Sequence, residues 1–498
     1  MHGMTHRLGS LRSRRPASGV TLALAVALTT TAAVFTAALP QGAAASTGAP
    51  AVTINAAIRY QTIAGFGASE AFGEAQVIQN APAAVQRQAL DLLYGRHDGA
   101  GLTILRNEIS ADPGTTIEPV APASPSASAS YLPLTSIADD QGQLWLTQTI
   151  KKEYGVTDVF ADAWSAPAFM KTNDSADNGG TLCGVPGATC ASGDWRQAYA
   201  NYLRRYAADY AAAGDPLRYV GPENEANIGP GYDSMIMTPD QTANLLQFLG
   251  PTMARSGLAT RAECCATEGW DYAQQYAAAI ESDPLANAFT PLFTSHGYTE
   301  APASPLAGWA KPVWETEWST FQAWDPAWDD GTTASGFAWA QNIYTGLTSA
   351  NLNAFLYWWG SSTPTFNGDN ESLIQINGDA VSPSGRLWAF ANYSRFVRPG
   401  AVRIGSSSAA PSLEVTAFRN PNGSVAIVVL NTAAAAQMTT FSVRGAGPAG
   451  RLAAPYLTDA ADAADGTTAQ PAVPVRNGLF TATLPARSLV TYVIPART

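Results

Sequence analysis

Short apolar runs and helical patterns alternate between about residue 60 and residue 395 of this 498-residue chain, and this alternation constrains the fold most. Each run has the length of a buried strand, whereas segments such as 195–213 and 238–256 show helical periodicity. Strands that alternate with helices indicate a parallel sheet. Eight such repeats predict an α/β fold, a (β/α)8 TIM barrel. The predicted barrel strands are 62–66, 102–107, 158–164, 219–224, 260–266, 293–296, 313–317 and 354–359.

The pattern changes near residue 400, where β-rich segments of alternating polarity replace the strand–helix repeat. Asn422-Gly423 lies between two of these segments and is a strong hairpin signal. Residues 52–58 also have the pattern of a strand. We therefore predict a catalytic barrel of residues 60–398 and an associated β-sandwich side domain of residues 46–59 plus 399–498. The predicted sandwich strands are 401–405, 412–418, 424–430, 440–443, 479–484 and 488–494.

Residues 119–133 interrupt the barrel pattern after its second strand and are rich in proline, serine and alanine. This composition buries little apolar surface, so we predict a mobile loop. The sequence leaves open whether the loop is an inert surface insertion or gates access of substrate.

The N-terminus has the features of an export signal. A basic stretch ends at Arg15, an apolar run follows over residues 20–39, and Ala43-Ala44-Ala45 is a small-residue cleavage site. We predict that residues 1–45 are a cleaved signal peptide and that the protein is secreted and extracellular. A membrane anchor is the alternative, but threonines interrupt the run and no basic stop-transfer flank follows it. No membrane partner is expected after cleavage.

The charge balance narrows the range of partners. The formal net charge is −11, and it becomes about −15 once the four arginines of the signal are removed. An acidic surface repels phosphates, so no nucleic-acid partner is expected. A monomer is the default expectation. Only 13% of residues are charged and 46% are hydrophobic, which suits a large buried core.

Histidine and cysteine usage excludes several chemistries. Only His97 and His296 remain after the signal, so a multi-histidine metal site is excluded and a Ser-His-Asp triad could use only these two. We predict no metal and no organic cofactor, and acid–base chemistry then falls mainly on carboxylates. Cys183 and Cys190 enclose a short loop and are predicted to form a disulfide. The adjacent residues 264 and 265 form either a vicinal disulfide or two buried thiols.

Two acidic segments, 221–227 and 313–319, carry the predicted chemistry. Glu225 is predicted to end the fourth strand and Glu317 the seventh, where the active face of a barrel lies. Two facing carboxylates are the usual means of cutting a glycosidic bond. We predict Glu225 as the protonated general acid and Glu317 as the ionised nucleophile, with their oxygens about 5 Å apart.

Each segment contains a second glutamate two residues earlier, which places it on the same face of a strand. Glu223 and Glu315 should lie deeper than Glu225 and Glu317, away from substrate. We predict them to be structural partners of arginine. One specific alternative is a deep ion pair between Glu315 and Arg106.

Taken together, these segments resemble glycoside hydrolase family 30 over nearly the whole chain beyond the signal. Asn224-Glu225 and Thr316-Glu317 are similar to the acid/base and nucleophile signatures of that family. Six further segments match: Gly65-Phe66-Gly67, Leu105-Arg106, Trp164 to Asn173, His296-Gly297-Tyr298, Tyr357-Trp358-Trp359, and the junction 390–400.

The resemblance implies a role for each matching residue. Glu225 would protonate the leaving oxygen and later activate water, Glu317 would form the covalent glycosyl-enzyme, and Asn224 would bond the sugar 2-hydroxyl. Arg106 and Tyr298 would keep Glu317 ionised and oriented.

The same resemblance assigns the walls of the site. Trp164 and Trp359 would offer flat surfaces to sugar rings, with core packing as the alternative for each. His296 is expected to be a wall residue that can touch substrate rather than a proton carrier.

Some residues depart from the family pattern. Ala226 stands where many relatives have proline. Relatives that require a glucuronic acid branch use an arginine after strand eight, but residues 360–379 contain Asp369, Glu371 and Asp379 and no arginine. The loop after strand one is acidic too, with Glu70 and Glu74. Strict glucuronate recognition is therefore not expected, and the cysteine segments resemble the fungal-type xylanase branch.

We interpret the chain as a secreted, retaining β-glycoside hydrolase acting on plant cell-wall polysaccharide. Endo-β-1,4-xylanase is the first choice and endo-β-1,6-galactanase the second, so the expected partner is xylan or galactan. A glucosylceramide-type substrate ranks third. The alternatives of another class are a non-catalytic carbohydrate-binding protein on a barrel scaffold and a structural wall-associated protein.

Overall fold

In a computed structural model, the chain forms a barrel of parallel strands joined to a β-sandwich. The structure describes residues 51–134, 140–364, 369–445, 451–461 and 466–496. The predicted signal peptide, residues 1–45, lies outside the described residues. Within the described ranges, none of the helices has both the length and the apolar character needed to cross a bilayer.

The strands of the barrel region are β2 (Gly65–Ser69), β3 (Ile104–Ile109), β4 (Asp158–Ala163), β5 (Tyr219–Gly221), β6 (Arg261–Ala262), β7 (Cys264–Thr267), β8 (Phe293–His296), β9 (Val313–Glu317), β10 (Thr320–Ala323), β11 (Ala354–Ser362), β12 (Asp369–Asn370), β13 (Ser372–Asn377) and β14 (Ala380–Pro383). The helices are α1 (Glu74–Asn80), α2 (Ala83–Tyr94), α3 (Gln143–Tyr154), α4 (Arg196–Ala212), α5 (Pro239–Arg255), α6 (Trp270–Ser282), α7 (Pro284–Phe289), α8 (Gly336–Thr348) and α9 (Gly385–Ser394).

The barrel sheet runs in the order β6-β5-β4-β3-β2-β11-β9-β8-β7, and each neighbouring pair is parallel. Its two ends are the halves of one strand, separated by Glu263, so the sheet almost closes on itself. The TIM barrel prediction is confirmed. The inner floor is apolar and includes Phe160, Tyr219 and Trp314, which pack edge to face.

Several predicted strand limits were wrong for identifiable reasons. The first barrel strand is 65–69 rather than 62–66, because residues up to Thr62 belong to a sandwich strand. Gly65-Phe66-Gly67 therefore lies in β2. The fourth ends at Gly221, because Pro222 has no N–H to donate to a strand ladder. The fifth, predicted as 260–266, is split in two.

Helix α5 shows how local sequence sets these limits. Thr238 accepts a hydrogen bond from the Gln241 N–H, and the Gln241 side chain accepts one from the Thr238 N–H, which makes a capping box. Pro239 occupies the first turn, where its missing N–H costs nothing. The helix packs on α4, as the alternating pattern predicts.

The sandwich strands are β1 (Val52–Thr62), β15 (Val402–Ser408), β16 (Leu413–Arg419), β17 (Val425–Asn431), β18 (Gln437–Arg444), β19 (Leu452–Thr458), β20 (Thr468–Ala469), β21 (Val473–Pro474), β22 (Leu479–Leu484) and β23 (Ser488–Ile494). Strand β1 pairs antiparallel with β15 and parallel with β18, so the sandwich contains a segment from the start of the described chain. Asn422-Gly423 lies in the hairpin that joins β16 and β17, as predicted, and Gly423 has a φ of 81°. Strand β19 has no counterpart among the predicted segments.

The insertion 119–133 contains no helix and no strand. The Leu132 N–H donates to the Ile117 carbonyl at 2.8 Å, which brings the two ends of the insertion together. Whether the insertion moves or gates the cleft stays a prediction.

Candidate active site

A buried arginine forms the base of the site. Arg106 lies in the middle of β3 and is 0% exposed. Its Nε donates to Asp162 at 2.6 Å, its Nη2 donates to Asn224 at 2.6 Å, and its Nη1 donates to Glu317. Its planar donor fork suits several partners at once, which a lysine could not match. Arg106 therefore ties together groups from three different parts of the barrel.

Glu317 is the last residue of β9, and its register partner on β8 is His296. Arg106 bonds one of its carboxylate oxygens, and the Tyr298 hydroxyl donates to the other at 2.9 Å. Both bonds favour the ionised carboxylate, because both partners act as donors. The structure thus places Arg106 and Tyr298 on Glu317, as the sequence led us to expect.

Glu225 does not end a strand, contrary to the prediction, but lies four residues beyond β5. Its φ of 48° is in the left-handed region, and its N–H donates to the Ala266 carbonyl at 2.7 Å. These features turn its side chain into the same site. One oxygen of Glu225, one oxygen of Glu317 and a ring nitrogen of His296 all lie within 4.8 Å of one another.

The surroundings act differently on the pKa values of the two carboxyl groups. Burial raises the pKa of Glu225 well above its usual range, and the charges of Glu317 and Glu268 raise it further. Burial also raises the pKa of Glu317, but there the charge and hydrogen bond of Arg106 and the bond from Tyr298 oppose it. When the pair carries a single proton, that proton therefore resides on Glu225.

His296 is completely buried, and its Nδ1 lies 3.0 Å from Glu225. Burial, together with the charge of Arg106, lowers the pKa of His296 well below its ordinary value, so the ring is neutral. A neutral imidazole has one donor and one acceptor nitrogen, so it can bond Glu225 in either protonation state. The ring is fully buried and bonds Glu225, so the expected contact of His296 with substrate stays a prediction.

The earlier glutamates of the two acidic segments lie deeper, but their predicted arginine partners were wrong. Glu223 accepts from the Thr242 hydroxyl at 2.8 Å, and Glu315 accepts from the Trp270 indole at 2.7 Å. Neutral donors suffice because burial raises the pKa of Glu223 to about 8 and that of Glu315 well above its usual range. Uncharged carboxyl groups need no cation beside them.

A pocket of about 380 Å³ opens above the carboxylate pair. Trp164 and Trp359 line it, as predicted, although each is almost completely buried. The ring of Trp359 stacks on Trp358 with centroids 4.8 Å apart, and the Arg106 guanidinium lies 4.5 Å from the Trp164 ring. Other lining residues were not predicted as site residues: Phe72, Ile228, Tyr232, Glu268, Phe321, Trp358 and Glu371.

Most of the missed wall residues lie on connections beyond the strand ends, where side-chain periodicity carries no signal. Trp358 and Phe321 are exceptions. Trp358 adjoins Trp359 in a run that the family resemblance already highlights, and Phe321 lies in the short strand β10. The segment 360–379 was interpreted as a loop, yet β11 continues to Ser362 and β13 occupies Ser372–Asn377.

Three groups of potential metal ligands occur in the described part of the chain. The first is Glu225, His296 and Glu317, where Arg106 already supplies a positive charge. The second is Glu223 with Cys264 and Cys265, and the third is Asp112, Asp177 and Asp233. The expectation of no metal stays a prediction.

The cysteines form two close pairs. The sulfur atoms of Cys183 and Cys190 lie within bonding distance, with their Cα atoms 5.6 Å apart. The sulfur atoms of Cys264 and Cys265 also lie within bonding distance, and the Cys264 sulfur lies 3.6 Å from Glu223.

Comparisons with known proteins agree with this geometry. Residues 49–302 match the family described as O-glycosyl hydrolase family 30, and residues 400–492 match the glycosyl hydrolase family 30 beta sandwich domain. Among solved structures, the catalytic domain of GH30 xylanase C from Talaromyces cellulolyticus is 41% identical. It superposes with a TM-score of 0.82, covering 89% of this chain and 100% of that one.

More distant relatives differ in their named substrates. Endo-1,6-beta-D-glucanase neg1 of Aspergillus fumigatus is 26% identical over 411 residues, which cover 75% of this chain and 79% of that one. Lysosomal acid glucosylceramidase of Mus musculus is 26% identical over 306 residues, and the match spans 57% of this chain and 58% of the mouse enzyme, less than two thirds of its length.

Proposed function

The chain belongs to glycoside hydrolase family 30, and from this premise we propose that it is a secreted, retaining endo-β-1,4-xylanase. The observation that carries the proposal is the approach of one oxygen of Glu225 and one of Glu317 to within 4.8 Å. Retaining enzymes place their carboxyl groups about 5 Å apart, whereas inverting enzymes leave more than about 6 Å for a water molecule.

The proposed reaction has two displacements. Glu225 donates its proton to the glycosidic oxygen while Glu317 attacks the anomeric carbon, which gives a glycosyl-enzyme ester and a free leaving alcohol. Glu225, now ionised, takes a proton from water, and that water releases the sugar with its β configuration. Asn224 accepts from Arg106 through its amide oxygen, so its amide nitrogen is the group to bond the sugar 2-hydroxyl.

Xylan is proposed as substrate because the relative with 41% identity is named a xylanase. The charge of the pocket lining also argues against a requirement for acidic branches on the substrate. Its lining includes Glu268 and Glu371 besides the catalytic pair, and among the described lining residues there is no lysine or arginine. Such a pocket favours an uncharged sugar chain over one that carries carboxylates.

A β-1,6-linked glycan is the second candidate, because a β-1,6-glucanase matches over three quarters of the chain. The β-1,6-galactan that the sequence suggested is tested as a substrate beside β-1,6-glucan. We further propose export through residues 1–45 and disulfides in both cysteine pairs, which suit the oxidising compartments outside the cytoplasm.

The proposal is tested by incubating the protein with linear xylan, β-1,6-galactan and β-1,6-glucan and measuring new reducing ends. We expect xylan to be cut fastest, internally, and with the β anomer formed first in proton NMR spectra. Glu317→Gln should lose at least about 10³-fold in rate. Release of the α anomer first would overturn the retaining assignment. Binding without cleavage of any glycan would favour a carbohydrate-binding protein.

Secretion is checked by expressing the full-length gene and locating its product in the culture medium.

A further inference from the structure

An exposed phenylalanine stands at the margin of the pocket. Phe321 lines the pocket that contains Glu225 and Glu317, yet 69% of its surface is exposed. Leaving so much aromatic surface in water forgoes the stabilisation that burial would give. The bound substrate is therefore the natural group to cover the exposed part of this ring, which the described residues leave open.

Phe321 lies on a ribbon of two hydrogen-bonded strands, not at the tip of a free loop. Phe321 belongs to β10, which pairs antiparallel with β12 through Thr320 and Asn370. The Asn370 side chain donates to the Ala323 carbonyl at 2.7 Å and accepts from the Asp325 N–H at 2.7 Å. The ribbon is therefore fixed before any ligand binds, which lowers the entropic cost of binding.

The ring also has a defined relation to the carboxylates. Phe321 stacks on Tyr298 with centroids 5.6 Å apart and an angle of 22° between the planes. The Tyr298 hydroxyl in turn donates to Glu317 at 2.9 Å. One aromatic side chain, Tyr298, therefore links Phe321 to the nucleophile.

We propose that Phe321 is the stacking platform for the sugar residue adjacent to the one held at Glu225 and Glu317. The ligand it takes is an uncharged pyranose in a β-linked chain, whose C–H face packs on the ring as aromatic side chains pack on other flat apolar faces. The inference rests on the proposed glycosidase function, since a chain must bind across the carboxylate pair to reach the ring.

The test compares Phe321→Ala with Phe321→Trp and with Met438→Ala, whose side chain is 64% exposed on the sandwich and serves as a matched control. Rates are measured on xylo-oligosaccharides of increasing length. We expect Phe321→Ala to lower kcat/KM for the longest substrate relative to the shortest cleaved one by about tenfold, mainly through KM. Phe321→Trp should restore the ratio and Met438→Ala should not change it. An unchanged ratio would overturn the platform. An equal fall in kcat at every length would also overturn it, because it would indicate that Phe321 positions Tyr298 instead.

Calorimetry separates this inference from the proposed function. Xylohexaose is titrated into Glu317→Gln and into Glu317→Gln with Phe321→Ala. Binding that weakens about tenfold on loss of the ring supports the platform. This holds even if the wild-type protein cuts no glycan, because absence of cleavage would overturn only the proposed hydrolysis. Equal affinity of the two proteins, or no binding to either, overturns the platform.

Discussion

The guanidinium of Arg106 donates a hydrogen bond to Glu317 at the base of the pocket, and both side chains are almost completely buried. A charge-assisted bond of this kind is strong because little water screens it. It places a permanent positive charge against one carboxylate of the pair and so fixes which carboxylate carries the negative charge. The assignment of nucleophile and acid follows from this asymmetry.

Arg106→Lys should lower kcat by about 100-fold, because lysine keeps the charge but cannot bond Glu317, Asp162 and Asn224 in one plane. The measurement is kcat on xylan together with the melting temperature. Arg87→Lys, at an exposed salt bridge, is the control and should leave both unchanged within error. A kcat of Arg106→Lys within about threefold of wild type would show that the geometry of the fork is not needed.

Glu268→Gln should move the basic limb of the pH–rate profile to lower pH. Burial is the main cause of the raised pKa of Glu225, but the charges of Glu317 and Glu268 add to it. Removing the charge of Glu268 lowers that pKa, and Glu225 can donate only while protonated, so activity is lost at a lower pH. The profile of kcat/KM reports this group in the free enzyme. Exposed Glu300→Gln is the control, and an unmoved basic limb would contradict the role of Glu268.

The barrel could be predicted because its strands are short, buried on both sides and alternate with helical patterns along the sequence. Strands β8 and β9 coincide with the predicted ranges. The failures lie where backbone chemistry overrides hydrophobicity. Pro222 ends the fourth strand early, and the fifth is interrupted at the buried residue Glu263.

Part of the site could be predicted because its residues are tied to strand ends. Glu317 and His296 end their strands, so their convergence follows from the fold. Glu225 reaches the same place through a positive φ that no sequence pattern indicates. The partner of Arg106 was also undetermined, because Glu315 and Glu317 share a strand face, and only the depth of the guanidinium decides between them.

Replacing Cys183 and Cys190 with serine should lower the free energy of unfolding by about 2.5 kcal/mol. A crosslink between residues seven apart restricts the unfolded chain, and the loop-entropy relation gives this amount for so short a loop. Denaturant unfolding of the wild type and the double variant measures it. With reductant present in both samples, the wild type and the double variant should have the same stability. Equal stability of oxidised wild type and variant would contradict a disulfide at this position.

Glu225→Gln should separate the two chemical steps. Cleavage of xylan needs a proton on the leaving oxygen, so its rate should fall by about 10²- to 10⁴-fold. A dinitrophenyl β-xylobioside has a leaving group that needs no proton, so its first step should stay fast while the second, which needs Glu225 as base, becomes slow. A burst of dinitrophenol equal to the enzyme concentration is therefore expected, followed by slow turnover. Azide should accelerate this turnover, because it attacks the glycosyl-enzyme without needing a base.

Glu317→Gln, the matched amide at the other carboxylate, should show neither burst nor acceleration, because it cannot form the ester. A burst from Glu317→Gln and none from Glu225→Gln would exchange the two roles, and the asymmetry that Arg106 imposes would then need another function.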